Sequence, residues 1–295
     1  MRKLSSIVLF VMLLMASPSC KKETAQLSTV SAANESDLSI KKLRRKTQTG
    51  DLVGRQQQIT IATGDYTYPT SQALLWLPAG YNGIKSIRKK YPLIIALDGV
   101  GEQGTDIKAL LHSGTIAYHI SKGWDPVSKN PADGKDYSFI VFTPQCPVSW
   151  GWSAPQIKTM LASLKKTYRI DVSRVYLTGF SAGGWGLWSC MTDDVSLCQQ
   201  FAAIGPVSSA AADHPDKITN VAKFNIACWN ICGTADSFYG NAVNYTNIIN
   251  GANPKIPAIL TSLKGVGHSA WNQAYDTSWR VNKKNFFEWA LQYRR

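Results

Sequence analysis

Histidine is scarce in this chain: four residues among 295. Any chemistry that needs an imidazole has only His112, His119, His214 and His268 to draw on. Acids are also few, 19 against 32 Lys and Arg, for a net charge of +13. After residue 20 no apolar run is long enough to cross a bilayer, which excludes a chain threading the membrane repeatedly. No internal repeat is visible, which excludes the repeat architectures. Beyond Cys20 the cysteines are Cys146, Cys190, Cys198, Cys228 and Cys232. Their spacing fits no zinc pattern, so neither metal nor cofactor is expected.

The first 20 residues have a basic start (Arg2, Lys3) and an apolar core from Ile7 to Met15, too short to span a bilayer. Ala16-Ser17-Pro18-Ser19 then precede Cys20. Small residues before a cysteine resemble a lipoprotein-type signal peptide, with Cys20 as the lipidated new N-terminus. Simple cleavage and secretion is the alternative. Residues 21–55 are polar and without period, the composition of a flexible tether. Ten of the Lys and Arg and four of the acids lie before residue 56, so this part carries +6 of the net charge. No aromatic residue interleaves the run Lys41 to Lys46, which fits a solvated tether rather than a nucleic-acid site. The expected address is extracytoplasmic, on a membrane through the lipid anchor.

Residues 56–295 suffice for one domain with a sizeable core. Gln57 to Thr63 and Gln72 to Leu77 read as an antiparallel start. Tyr91 to Leu97, Phe139 to Phe142, Val175 to Thr178, Phe224 to Ile231 and Ile259 to Leu263 are short apolar runs that suit strands covered on both faces. Helical stripes alternate with them: Ile157, Met160, Leu161, Leu164 and Tyr168, then Trp279, Phe286, Trp289, Ala290 and Tyr293. The expectation is an α/β domain with a mainly parallel sheet and helices on both faces. An oxidising compartment permits disulfides. Cys190 and Cys198 could close a small loop, whereas Cys228 and Cys232 would lie about 13 Å apart along one strand.

Gly179-Phe180-Ser181-Ala182-Gly183 sits between a strand and a helix, the arrangement of a nucleophile elbow. Small residues two before and two after the serine let strand and helix approach closely. A serine hydroxyl needs an adjacent base, and the base a carboxylate that fixes its tautomer. Asp236 and His268 follow the ends of later strands, in the order Ser, acid, base. His214 is the weaker contender for base, and Asp213 and Asp216 for acid. His112 and His119 read as surface or packing residues. For the oxyanion hole, Ala182 offers the N–H after the nucleophile, and Val100 one from the loop Asp98 to Glu102.

The segment Leu97-Asp-Gly-Val-Gly-Glu-Gln-Gly-Thr-Asp106 resembles the His-Gly-x-Gly-Glu-Arg-Gly-Thr-Asp segment of bacterial esterases of the α/β-hydrolase superfamily. Pro144 to Pro147, the elbow, Gly233 to Asp236 and Gly267-His268 with Trp271 match further blocks in the same order. The likeness covers residues 60 to 295. It extends to phospholipase/carboxylesterase, feruloyl-esterase and polyhydroxyalkanoate-depolymerase branches. It implies an α/β-hydrolase fold and a serine carboxylesterase acting through an acyl-enzyme, with Ser181, Asp236 and His268 as triad. Three positions depart: Asp98 stands for the usual His, Gln103 for Arg, and Cys232 for the His before the acid's glycine. Trp150 and Trp152, in a loop, are expected to form a substrate wall with Trp271, while Trp185 and Trp188 are expected in the core. The preferred substrate is a polysaccharide-linked feruloyl or acetyl ester. The alternatives are a peptidase of the prolyl-oligopeptidase type and an inactive glycan-binding module.

Overall fold

The computed structural model describes residues 52–148 and 151–295. Cys20, most of the tether and Trp150 lie outside them. Among the described residues eleven strands are formed: β1 Leu52–Val53, β2 Gln56–Ala62, β3 Thr70–Trp76, β4 Tyr91–Leu97, β5 Val127–Lys129, β6 Asp136–Ser138, β7 Ile140–Pro144, β8 Ile170–Phe180, β9 Ala203–Val207, β10 Ala227–Gly233 and β11 Ile259–Leu263. Nine form one sheet in the order β1-β2-β3-β7-β4-β8-β9-β10-β11. β1 to β3 are antiparallel, and β3 runs antiparallel to β7. From β7 to β11 every pairing is parallel. The sheet begins at Leu52, four residues ahead of the expected boundary at 56.

The main helices are α1 Ile116–Ser121, α2 Ala154–Thr167, α3 Ala182–Thr192, α4 Tyr239–Gly251 and α5 Phe286–Leu291. They cover both faces. All seven residues of β4 are buried. Leu93, Ile95 and Leu97 pack toward Ile157, Met160, Leu161 and Leu164 of α2 and Leu187 and Trp188 of α3. Ile94 and Ala96 pack on the other side, with Ile116 and Ile120 of α1 and Phe286 and Phe287 of α5. A strand buried on both sides has no polar face, so its sequence is a continuous apolar run rather than an alternation.

β1 and α4 were not anticipated in the reading above, nor were the hairpin β5–β6 and β9. The hairpin β5–β6 stands apart from the main sheet. β9, Ala-Ile-Gly-Pro-Val, carries two residues that normally interrupt strands. Its pairing with β10 holds at Ala203, Ile204 and Val207 and lapses at Gly205 and Pro206. A Cβ on Gly205 would lie 2.3 Å from the Phe286 ring, so the glycine makes room for α5. Phe224 and Asn225 precede β10 rather than begin it, and Asn225 is left-handed (φ 51°). Trp279 lies before α5, yet its ring packs 6.2 Å from that of Trp229. All five cysteines from Cys146 onward are buried and free of disulfides, so the loop that Cys190 and Cys198 could close is left open.

Candidate active site

Ser181 is the single residue between β8 and α3, with φ 53° and ψ −121°. L-residues avoid this region, and surrounding structure must hold it. Here Ser181 donates its N–H to Val207 O (3.1 Å) and accepts from Ala210 N–H (3.0 Å). The flanking glycines have a steric cause. A Cβ on Gly179 would meet Gly183 O at 2.3 Å, and one on Gly183 would meet Leu97 O at 2.4 Å and Asp98 O at 2.6 Å. These are backbone atoms that no rotamer change can move aside.

β10 delivers Asp236, and the turn after β11 delivers His268. A Cβ on Gly233 would lie 2.1 Å from Val266 O, so only glycine lets the histidine loop close on β10. His268 Nε2 stands 2.8 Å from Ser181 Oγ. Its Nδ1 lies 3.0 and 3.2 Å from the two oxygens of Asp236. The Asp236 side chain is fully buried and that of His268 is 42% exposed. An ionised carboxylate only accepts, so Nδ1 carries the proton and Nε2 turns its lone pair to the serine hydroxyl. Burial alone would raise the Asp236 carboxyl. The Phe238 N–H and His268 outweigh it and hold that carboxyl below its usual range. Cys232 points its thiol at Asp236 Oδ2 (3.6 Å). His214, Asp213 and Asp216 are exposed, and His214 faces Asp193 at 3.9 Å instead.

Opposite the elbow, Gly99 leads into a short 3-10 turn, Val100–Glu102. Val100 and Ala182 are each the first residue of a helical segment, where an N–H has no acceptor within its own helix. Gln145 pins the loop by donating to Glu102 O and Asp106 O (2.8 and 2.7 Å). Asp98 fixes its start. It is 1% exposed and accepts from Cys146 N–H at 2.9 Å and Trp152 Nε1–H at 3.0 Å. Burial pushes the Asp98 carboxyl up to about 7.

Trp152 therefore does not form a substrate wall. It is fully buried, and its indole N–H is committed to the Asp98 carboxylate. Trp188 is likewise fully buried, while Trp185 is half-buried. Trp271 does reach the site: its ring lies 4.7 Å from Phe180 and 5.4 Å from His268. Ser181 and His268 open into a cavity of about 700 Å³, whose walls include Val100, Phe180, Trp271, Glu102 and His112. His112 is thus an exposed residue that also lines the site. Its signal is a partner ten residues upstream, since Nδ1 lies 3.0 Å from Glu102 Oε1. Among the described residues no group of three or more His, Cys, Asp or Glu is placed to hold a metal ion.

No family model and no curated protein matches the sequence. Solved structures do match. A thermostable esterase is 21% identical, with a TM-score of 0.59 over 81% of this chain and 63% of that one. This chain thus spans less than two thirds of that protein's length. An S-formylglutathione hydrolase from Staphylococcus aureus is 12% identical, with a TM-score of 0.55 over 82% of this chain and 99% of the other. The feruloyl esterase module of Clostridium thermocellum, complexed with sinapinate, is 17% identical, with a TM-score of 0.51 over 78% and 87%. The likeness and the strand order show the α/β-hydrolase fold.

Proposed function

We propose that this chain is a serine carboxylesterase that works through an acyl-enzyme. The observation that carries the reading is one connected set of contacts: Ser181 Oγ to His268 Nε2 at 2.8 Å, and His268 Nδ1 to Asp236 Oδ2 at 3.0 Å. Ser181 attacks the ester carbonyl while His268 takes its proton. The carbonyl oxygen, now negative, is met by the N–H groups of Val100 and Ala182. His268, an imidazolium stabilised by Asp236, returns the proton to the leaving alcohol. Water enters by the same route and frees the acid. The backbone bonds that hold Ser181 and the burial of Asp236 keep the groups in place before substrate arrives, which is where preorganised sites gain rate.

The substrate we favour is a feruloyl or acetyl ester on a polysaccharide. The feruloyl esterases among the similar structures and the Phe180–Trp271 pair at the cavity support it. The segment Ala16 to Cys20 supports an extracytoplasmic, lipid-anchored enzyme. The test is a panel of aryl, feruloyl, acetyl-glycan and lipid esters run on wild type and Ser181→Ala, together with fluorophosphonate labelling. We expect wild type to turn over p-nitrophenyl acetate and to take the label, and the variant to do neither. Label retained by Ser181→Ala would refute the assignment.

A further inference from the structure

The Trp271 indole has two imidazole neighbours in the same cavity: His268 at 5.4 Å and His112 at 6.3 Å. The catalytic reading uses only the first. The second rests on Glu102, whose side chain is 6% exposed against 52% for His112. Glu102 Oε2 takes the Gly99 N–H at 3.1 Å, and Oε1 takes His112 Nδ1 at 3.0 Å. Burial raises the Glu102 carboxyl, and His112 counters it. A buried carboxylate with both oxygens committed fixes the orientation of the ring it holds. As acceptor it fixes the tautomer too, with the proton on Nδ1 and a lone pair on Nε2. A pair that served packing alone would be covered on both members. Here the imidazole is half exposed in the cavity while its carboxylate is buried beneath it.

We propose that Glu102 and His112 form a subsite that reads a hydroxyl on the acyl group. An aromatic acyl group lies against Trp271 and Phe180, and its ring hydroxyl donates to His112 Nε2. The aromatic floor and the single fixed acceptor together specify a hydroxyaryl acyl chain over acetyl or plain aryl ones. This rests on the esterase reading and deepens it. The acyl group stays on Ser181 through both half-reactions, so the contact acts in each. His112 makes no covalent contact with the reacting atoms. It is a specificity-determining residue, and Glu102 positions it.

The test compares kcat/KM for methyl 4-hydroxycinnamate, methyl 4-methoxycinnamate and methyl cinnamate. Their common methanol leaving group confines the difference to the acyl side. Wild type should prefer the hydroxylated ester by roughly 3- to 10-fold, the range of one net hydrogen bond. His112→Phe should bring the three rates together, and His112→Gln, which keeps an acceptor, should restore part of the preference. In Glu102→Gln the side-chain oxygen can keep the Gly99 N–H while its amide donates to Nδ1. That moves the ring proton to Nε2 and removes the preference for hydroxyl over methoxyl. A merely structural pair would slow all three esters alike. Undiminished hydroxyl preference in His112→Phe overturns the proposal, as does a wild type that turns over the esters without preference. Wild type that takes the fluorophosphonate but turns over none of the three overturns the subsite alone. Wild type that does neither overturns the esterase reading as well.

Discussion

Asp98→Asn tests the buried support of the oxyanion loop. Asp98 is 1% exposed, and both its oxygens accept N–H donors. Burial moves its carboxyl from the ordinary 3.8 to about 7. Between those values the folded protein keeps a proton that the unfolded chain has released. Stability from this group is therefore greatest in acid, falls as pH rises through the window, and levels off above about 7. Going from about pH 5 to about pH 8 should remove about 2 to 3 kcal/mol, or roughly 5 to 10 °C in Tm for a domain of this size. Asn does not titrate. Its amide also sets an N–H against a buried N–H donor, which costs about 1 to 3 kcal/mol at every pH. Urea unfolding of both proteins at the two pH values isolates the titration, because every other carboxylate is common to them. Any stability advantage of wild type should shrink by about 2 to 3 kcal/mol from acid to alkali. A constant gap would mean that Asp98 ionises as an exposed carboxylate does, and would refute the reasoning.

Three further outcomes are expected. Asp236→Asn turns an amide N–H toward His268 Nδ1, which forces the proton onto Nε2, so kcat on p-nitrophenyl acetate should fall roughly 10⁴-fold with an unchanged circular dichroism spectrum. Gly183→Ala places a Cβ 2.4 Å from Leu97 O, and urea unfolding should show a loss of roughly 3 kcal/mol or more. Burial pushes the thiols of Cys146 and Cys232 up to about 12 and that of Cys198 up to about 11. Ellman's reagent should therefore find the five cysteines after Cys20 unreactive in the native protein and all five reactive in denaturant.

The elbow was legible because its cause is local. Gly179 is dictated within the motif, by Gly183 O 2.3 Å from where a Cβ would sit, and although Gly183 answers to the distant Leu97 O at 2.4 Å, both glycines stand at a fixed two-residue spacing from the serine that the sequence shows directly. His268 and Asp236 were legible through order, each following a strand of one parallel sheet. Trp152 was misplaced because a tryptophan in a loop reads as exposed. What decides its position is Asp98, whose buried carboxylate accepts the indole N–H. His112 was missed because its partner Glu102 lies across an irregular turn, where no periodicity pairs them. β9 was missed because Gly205 and Pro206 are explained by α5 and by a lapse in the ladder, both distant in sequence.

The strand order β7-β4-β8 also has a kinetic side. The elbow glycine Gly183 rests on the carbonyls of Leu97 and Asp98, and Leu97 pairs with Gly179 far along the chain. Loop closure over such separations is slow, and parallel pairing between distant strands is among the later events of folding. The strained backbone of Ser181 is held by Val207 O and the Ala210 N–H, so it settles only after β9 has joined β8 beside β4. During refolding, helical signal should return first and hydrolytic activity last, so that the nucleophile serves as a clock for completion of the sheet.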